Sequence, residues 1–575
     1  MILKRLLKGI SCKVISAGVV VGMLMPMTTF GQSTEFTANA MAPLKVTDWD
    51  QFNKQLRKAK EIGIDAISVD VWWGDVEAEG DNLFDFSYYD RVFAAIKAAD
   101  LEIVPIMSFH QCGGNVGDDY TSYLPSWVWN KYEKESMDGQ WMNRYNLKYK
   151  SSQGNYCNEY LALWADEIVK DEYIDFMNAF EEHFGATYKD DIQELNISGG
   201  PAGELRYPSY NSHDNNTGYP TKGAMQCYSN LAKAEFRKAM LQKYESLEGV
   251  NRAWGCNLTH TDEITPPTDG DNFFYSNGAH SYYESQYGKD LLEWYNNSLV
   301  EHGRRMLTYG QEAFDGAFDN IKLGIKIPGV HWQMESTNTP RAAEVCAGVI
   351  NSDFSQSNGY GYNPILEMVS SFNDEVSLHF TCLEMNDYAG NNTSTPKKLV
   401  GYVGDSAAGV GVEIKGENAL SGGDDYSYYW DNISDAIDHH GYKGITILRV
   451  GDVVEGQSYN YYKDFIAKYE KEETNQTNVS VKFKVNQAET YWGQNIYVVG
   501  SIKALGEWDT RKAIKLSPTN YPTWEGTVTG IPANSNFEFK FIKKDDNGNV
   551  IWEGGSNHSY YTSDRNGDYM SNWVG

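Results

Sequence analysis

Two glutamates, Glu204 and Glu417, each directly follow a glycine, and both lie where a predicted strand runs into a turn-rich segment. A glycine lets the backbone approach a bound molecule closely. Paired carboxylates beside aromatic and hydroxyl-binding side chains suit glycoside hydrolysis, with one as the acid and the other as the base or nucleophile. Either glutamate alone is more simply a solvated loop charge, so it is the combination that predicts a catalytic site.

Other chemistries lack their sequence marks. The 575 residues contain no HExxH, GxSxG or P-loop Gly-Lys-Ser/Thr motif, and no CxxC pair indicates zinc or redox chemistry. The net charge is −29, from 49 basic and 78 acidic residues, which disfavours nucleic acid and anionic membranes as partners. Aromatic residues make up 14% of the chain, enough to fill a large core or to line surfaces that stack on sugars.

Strands and helices alternate along the first 465 residues. Eight segments are typical of strands: 41–44, 66–73, 103–108, 194–198, 321–327, 376–381, 411–414 and 444–449. Helical patterns between them include 50–62, 90–99, 172–184, 229–244 and 291–314. Eight βα units predict an α/β fold, a (β/α)8 TIM barrel with long βα loops over residues 41–465. A doubly wound sheet is the alternative, although the glycine-rich dinucleotide loop that often follows its first strand is absent.

Barrel enzymes place their catalytic groups where strands end and βα loops begin. Seven of the eight predicted strands have polar or charged side chains at that end. These are Asp70, His110, Asp118, Glu204, Lys326, His331, Thr381, Glu384, Glu417, Asn418 and Arg449. A lone histidine is usually structural, but the position of His110 and His331 at strand ends favours a role in binding hydroxyl groups.

A second domain follows a polar segment at 466–478, which is typical of a linker or a fraying helix end. Residues 479–485 alternate with period two, and 495–500, 524–528 and 537–542 also read as strands separated by turns. About 100 residues of short strands predict a small all-β sandwich at 479–575.

The N-terminus predicts the compartment. Basic residues precede the apolar run 14–27, and small residues follow it at 28–31. This pattern is typical of a secretory signal peptide at residues 1–31, and no later apolar run is long enough to span a bilayer. We therefore expect a secreted, extracellular protein. Six of the seven cysteines lie beyond this segment, and their pairing cannot be read from the sequence.

Two long motifs carry a family resemblance. The stretch HQCGGNVGD at 110–118 resembles the first β-amylase signature, and GPAGELRYPSY at 200–210 resembles the second. Further matches to the same family follow in order at 69–74, 326–331, 380–385 and 416–420. The resemblance covers residues 41–465. It implies glycoside hydrolase family 14, whose members are inverting, exo-acting hydrolases that release β-maltose from the non-reducing ends of 1,4-α-glucans.

The resemblance implies starch, amylose, amylopectin and maltooligosaccharides as substrates, and we expect a monomer. Two rival functions stay open. A retaining amylase or glucanotransferase can carry the same kind of C-terminal module, and a starch-binding protein could contain an inactive barrel. The two long motifs argue against the first rival, and the intact pair of Glu204 and Glu417 argues against the second.

The resemblance also implies a role for each site residue. Glu204 matches the general acid that protonates the leaving glycosidic oxygen, and Glu417 matches the general base that activates water on the opposite face. Thr381 matches a residue that supports catalysis, and Glu384 on the same loop is a second candidate for the base. Residues 113–118 match a mobile loop that closes over substrate. The remaining matches bind sugar units: Asp70, His110, Asp118, Lys326, His331, Asn418, Ala419 and Arg449.

Bacterial members of the family carry one calcium, which is structural rather than catalytic. The matching positions all offer oxygen ligands, as Ca²⁺ requires. They are Glu77, Asp81, Asn82, Glu172 and Asp175. The alternative is a solvated acidic face on a strongly negative protein. We expect no organic cofactor.

The C-terminal domain resembles a family 20 starch-binding module over residues 479–575. Trp508, Lys540, Trp552 and Asn557 match its first sugar site, and Trp492 falls at an aromatic position of the second. The alternative is that these tryptophans fill the core of the sandwich. The module has no evident acid–base pair, so the resemblance implies a tethering role.

Overall fold

The computed structural model describes residues 36–575 with short gaps, and the predicted signal peptide at 1–31 lies outside the described residues. The gaps are 114–117, 134–135, 138–139, 142–146, 277–280, 335–338, 352–360, 389–393, 421, 475–477, 507, 509, 546–547 and 564. The described chain divides into two compact units, which separate between residues 473 and 474. Within the part that the structure describes, no helix is long and apolar enough to cross a membrane.

Eight parallel strands close into a barrel in the first unit. In chain order they are β1 (Thr37–Met41), β2 (Ala66–Trp72), β3 (Glu102–Ser108), β4 (Leu195–Ile197), β5 (Leu323–Ile327), β6 (Val376–Phe380), β7 (Ile414–Glu417) and β8 (Gly444–Ile447). Each strand pairs with the next, and β8 closes the ring on β1 with Gly444 opposite Thr37. The predicted TIM barrel is confirmed, and its βα loops begin at one rim.

Helices alternate with the barrel strands, and short ones lie in the long loops. They span Trp49–Ile62, Trp73–Val76, Ser87–Ala98, Ser126–Glu133, Asp166–Tyr188, Asn230–Tyr244, Leu247–Trp254, Gly270–Tyr275, Ser281–Glu284, Gln286–Ala313, Ala342–Ala347, Asn363–Ser370, Pro396–Val410, Ser427–His440, Val450–Val453 and Ser458–Thr474. The first begins where the Asp48 carboxylate accepts a hydrogen bond from the Gln51 amide at 2.9 Å, and it ends at Gly63 in the left-handed conformation. Its buried residues recur at helical spacing: Phe52, Leu56, Ala59 and Ile62.

Two predicted strands are misplaced along the chain. The first strand occupies 37–41 instead of 41–44 and ends two residues before Pro43. The seventh occupies 414–417 instead of 411–414, because Gly411 ends the preceding helix with φ 73° and Val412 still donates to Ala407 of that helix. Because the seventh strand occupies 414–417, Glu417 is the last residue of β7, at the rim of the barrel.

The segment 466–478, predicted as a linker or a fraying helix end, is helical over its first part. The helix Ser458–Thr474 continues through its first part, because Ile466 and Tyr469 are buried against the first unit. Residues 475–477 lie outside the described residues, and the next strand begins at Asn478.

A charged network lies among the barrel strands. Lys326 on β5, His379 on β6 and Lys415 on β7 are in register with one another. The buried Glu194 carboxylate is 2.5 Å from Nε2 of His379 and accepts a hydrogen bond from Nζ of Lys415 at 2.8 Å. Although burial opposes it, the charges of Lys415 and His379 hold the pKa of Glu194 well below its usual range.

The second unit is all-β. Its strands are Asn478–Asn486, Gln494–Gly500, Ile514–Lys515, Ser517–Asn520, Thr523–Pro532, Asn536–Asp545, Val550–Trp552, His558–Tyr561 and Gly567–Asn572. They form two sheets that enclose a core of alternating apolar residues, including Val481, Phe483, Val498 and Phe539. The predicted sandwich is confirmed. The six cysteines in the described part of the chain are all free thiols.

Candidate active site

Glu417 ends β7 and is buried at the rim of the barrel. Its Oε1 accepts a hydrogen bond from Nζ of Lys326, on β5, at 2.8 Å. Burial would lower the pKa of Lys326, but the carboxylates of Glu417 and Glu204 raise it, so the lysine stays protonated. Glu417 and Lys326 line a cavity together with Gly203, Asn196 and Thr446. The site therefore presents a fixed carboxylate–ammonium pair to this cavity.

Glu204 follows the 3₁₀ turn Pro201–Gly203, and its backbone pairs with that of the same lysine. Residues Glu204 and Lys326 form an isolated parallel bridge, and the Leu205 amide donates to the Lys326 carbonyl at 2.7 Å. The turn needs left-handed backbone at Ala202 (φ 57°) and Gly203 (φ 76°). Glycine at position 203 adopts this conformation without strain, and a β-carbon there would be in ordinary contact with the His110 ring at 3.4 Å.

Arg206 binds the Glu204 side chain. Its Nε donates to Oε2 of Glu204 at 2.8 Å, and its Nη1 donates to Oδ1 of Asn211 at 2.9 Å. Arg206 lies within the motif at 200–210, and no role for it was predicted from the sequence. The signal was its position: Glu204 is extended, so the side chains of residues 204 and 206 point the same way.

Asp70 and His110 lie on neighbouring strand ends. Ser108 donates to Asp70 at 2.8 Å, and burial raises the pKa of Asp70 against the opposing charge of Arg449. The His110 ring packs edge-on against Trp72 with centroids 5.1 Å apart. Burial, followed by the charges of Lys326 and Arg206, lowers the pKa of His110 to about 3, so its imidazole is neutral. Nδ1 of His110 is buried and has no hydrogen-bond partner among the described residues.

His331 and Thr381 connect the loops that follow β5 and β6. Nδ1 of His331 is 2.7 Å from Oγ of Ser394, and burial lowers the pKa of His331 to about 4. Oγ1 of Thr381 accepts a hydrogen bond from the Gly329 amide at 2.9 Å. Asp118 is described, but most of the predicted mobile loop at 113–118 lies outside the described residues.

Glu384, the second candidate for the base, holds the segment after β7. Its two carboxylate oxygens accept hydrogen bonds from the Ala419 amide at 3.0 and 3.1 Å. Burial raises the pKa of Glu384 to about 7. Asn418 is fully buried, and its Oδ1 accepts a hydrogen bond from the Leu448 amide at 2.8 Å. These contacts give Glu384 a positioning role and leave Glu417 as the carboxylate that lines the cavity.

The predicted calcium ligands gather in one region, around a lysine that was not among the predicted site residues. Nζ of Lys131 lies 2.8 Å from Oδ2 of Asp81 and 2.8 Å from Oε1 of Glu172. Glu77 is buried and accepts hydrogen bonds from the Trp73 indole and the Asn82 amide, both at 2.6 Å. The carboxylates of Glu77, Asp81 and Glu172 therefore already have cationic or N–H partners.

One group of side chains in the described chain has the spacing of a metal site, and it lies apart from the predicted calcium ligands. Ligand atoms of Cys157, Glu159 and His213 lie within 4.8 Å of one another. Although burial lowers it, hydrogen bonds to Asp214 and Cys157 raise the pKa of His213 to about 10. Nε2 of His213 lies 3.2 Å from Oδ2 of Asp214, so this nitrogen already has a carboxylate partner.

The second unit carries a separate aromatic surface. The rings of Trp508 and Trp552 lie 6.3 Å apart, and 42% of Trp552 is exposed. Lys540 donates to the carbonyls of Glu553 and Gly555, at 3.1 and 2.9 Å. Asn557 donates to Glu538 at 2.9 Å, and Trp492 is fully exposed. The core alternative for these tryptophans is wrong, because the buried tryptophan of the sandwich is Trp524.

Comparisons with known proteins agree with this arrangement. The sequence matches the profile of glycosyl hydrolase family 14 over residues 39–475 and that of the starch binding domain over 478–571. It is 39% identical over 564 residues to the thermophilic beta-amylase of Thermoanaerobacterium thermosulfurigenes, covering 97% of this chain and 96% of that protein. It is 38% identical over 533 residues to the beta-amylase of Bacillus cereus, covering 91% and 90%.

A solved structure gives the same result. The catalytic domain of beta-amylase from Paenibacillus polymyxa superposes with a TM-score of 0.67 and 38% identity, covering 76% of this chain and all of that one. A barrel with paired carboxylates at its rim, followed by a sugar-binding sandwich, defines a polysaccharide hydrolase. The chain belongs to glycosyl hydrolase family 14, and it is a starch-hydrolysing enzyme of the β-amylase type with a starch binding domain.

Proposed function

We propose that this enzyme is secreted, attacks 1,4-α-glucans from their non-reducing ends, and releases β-maltose with inversion. The observation that carries the proposal is that Glu204 and Glu417 both contact Lys326 at the rim of the barrel. Lys326 donates to Glu417 at 2.8 Å and forms the backbone bridge to Glu204. A hydrolase that inverts needs two carboxyl groups on opposite sides of the bond, about 6.5–9.5 Å apart, with room for one water.

Glu204 is the proposed general acid. Its carboxyl would give a proton to the glycosidic oxygen as the bond to the anomeric carbon breaks. In the structure Oε2 of Glu204 accepts a hydrogen bond from Nε of Arg206 at 2.8 Å, and this contact sets the orientation of the proposed acid.

Glu417 is the proposed general base. It would take a proton from a water molecule, whose oxygen attacks the anomeric carbon from the face opposite the leaving group. The ammonium of Lys326 fixes the direction of the Glu417 carboxylate. Asp70 and the neutral His110 lie on the neighbouring strand ends, where they would bind hydroxyl groups of the terminal glucose units.

The C-terminal domain is proposed to hold the enzyme on its substrate. Trp508 and Trp552 offer stacking faces, and Lys540 and Asn557 lie beside them as polar groups. A tethered catalytic domain meets starch chains at a raised local concentration. Secretion rests on the signal-like sequence at 1–31, and the expected monomeric state stays a prediction.

The roles of the two glutamates are tested with substrates that differ in leaving group. Replacing either residue, as E204Q or E417Q, should lower turnover of soluble starch by about 10³-fold or more. An aryl α-maltoside carries an acidic phenol as its leaving group, and this phenol departs without protonation by a general acid. E204Q should therefore hydrolyse it at near wild-type rate, whereas E417Q should fail on both substrates.

Binding to starch granules provides the control, because the C-terminal domain is unchanged in both variants and each should bind like wild type. If E417Q hydrolyses the aryl maltoside and E204Q does not, the two roles are reversed. If both variants hydrolyse starch at wild-type rate, the pair is not catalytic.

A further inference from the structure

The calcium site implied by the family resemblance contains a built-in cation in this chain. We define the acidic cluster as Glu77, Asp81, Asn82, Glu172 and Asp175. Lys131 extends from the helix Ser126–Glu133 into this cluster and forms ion pairs of 2.8 Å with both Asp81 and Glu172. The sequence does not predict this contact, because Lys131 is 50 residues from Asp81 and 41 from Glu172.

The spacing of the carboxylates does not fit Ca²⁺. Calcium binds oxygen at about 2.3–2.6 Å, so two ligands of one ion lie at most about 5 Å apart. Among the described residues, no three carboxylates of the acidic cluster bring one oxygen each within 4.8 Å of one another. The ammonium group between Asp81 and Glu172 accounts for this separation.

The oxygens of the acidic cluster are also engaged by other donors. Both oxygens of Glu77 accept hydrogen bonds, from Trp73 and from the Asn82 backbone. The Asn82 side chain donates to Asp81 at 2.9 Å, and the Tyr132 hydroxyl donates to Glu172. A calcium ion would have to displace these donors and approach a fixed positive charge, which costs electrostatic energy at contact distance.

We infer that the Lys131 ammonium takes the place of calcium, so that this chain stabilises the acidic cluster without a metal ion. The lysine connects the same segments that an ion would connect: the turn that holds Asp81, its own helix, and the helix Asp166–Tyr188 that carries Glu172. Glu172 is only 3% exposed, so its charge needs a permanent partner. A covalently attached cation cannot be removed by chelators or by dilution.

The test compares wild type with K131Q in the full-length enzyme. Wild type should retain no calcium after dialysis, measured by elemental analysis, and EDTA should leave its melting temperature unchanged. K131Q should melt about 3–5 °C lower in EDTA, because Glu172 loses its partner. Calcium at 100-fold excess over its Kd should then raise the melting temperature of K131Q by about 3 °C and bind with a stoichiometry of one.

A matched control separates this effect from the loss of any surface lysine. Lys170 has the same 34% side-chain exposure and pairs with Glu312 at 2.9 Å, so K170Q should show no response to calcium. Adding D175N to K131Q should abolish the calcium response and thereby localise it. The inference is overturned if wild type holds one equivalent of calcium and is destabilised by EDTA. It is also overturned if K131Q folds but gains no calcium binding.

Discussion

Two lysines of the barrel, Lys415 and Lys326, stand in the same register on β7 and β5, with His379 between them, yet they serve different networks. Lys415 binds Glu194, whose other oxygen contacts His379, so that every charge in this buried group has a partner. Lys326 binds Glu417 beside a cavity, close to a His110 nitrogen that has no partner among the described residues. A complete network stabilises the barrel, whereas an incomplete one leaves atoms available to a substrate.

The largest expected difference comes from replacing each lysine with methionine. K326M should lower kcat on starch by about 10²–10³-fold, because the base loses the group that orients it. K415M should instead lower the free energy of unfolding by about 3–5 kcal/mol, because Glu194 is left as a buried charge with only His379 beside it. Thermal melts and initial rates on both variants measure the two effects.

The distinction between the two lysines is wrong if K326M and K415M have the same phenotype. A K415M enzyme that melts like wild type but has lost its activity would make the Glu194 network part of the catalytic machinery. A K326M enzyme that unfolds at room temperature would make the Lys326–Glu417 pair structural. Activity must therefore be normalised to the folded fraction, measured by circular dichroism at the assay temperature.

A smaller effect is expected from the histidines of the site when the pH falls. Burial lowers the pKa of His331 to about 4, whereas an unfolded histidine titrates near 6.5. Between these values the unfolded state binds more protons than the folded state, so stability is lost as pH falls from about 6.5 to about 4. His331 should contribute up to about 3 kcal/mol of this loss.

The variant H331Q should show a shallower loss of melting temperature over this pH range than wild type. His439 is the control, because 68% of its side chain is exposed, and H439Q should follow the wild-type curve. Parallel curves for wild type and H331Q would mean that His331 is not held neutral by burial.

Much of the fold could be predicted from the sequence, because the barrel repeats one unit eight times and each unit has its own hydrophobic pattern. The errors fell where backbone chemistry overrides that pattern. The first strand ends at Met41, two residues before Pro43. Gly411 ends the preceding helix, and Val412 still donates a hydrogen bond to that helix. These shifts matter for the site, since the second one decides whether Glu417 stands at the strand end or in a loop.

The site could be predicted only as a set of strand-end residues. Which of them pair depends on side-chain reach across strands that are distant in the sequence, as with Lys326 and Glu417, 91 residues apart. Partners of this kind, including Arg206 for Glu204 and Lys131 for Asp81, carry no signature that periodicity could reveal. Oxygen ligands alone predict a calcium site, and only the structure shows a lysine among them.

The most direct test of the roles of Glu204 and Glu417 is proton NMR of the products during the first minutes of soluble starch hydrolysis. We expect maltose that appears first as the β-anomer, before mutarotation, and without longer oligosaccharides, because water attacks from the face opposite the leaving group. Maltose released as the α-anomer, or a mixture of dextrins from internal cleavage, would contradict the assignment of Glu204 as acid and Glu417 as base.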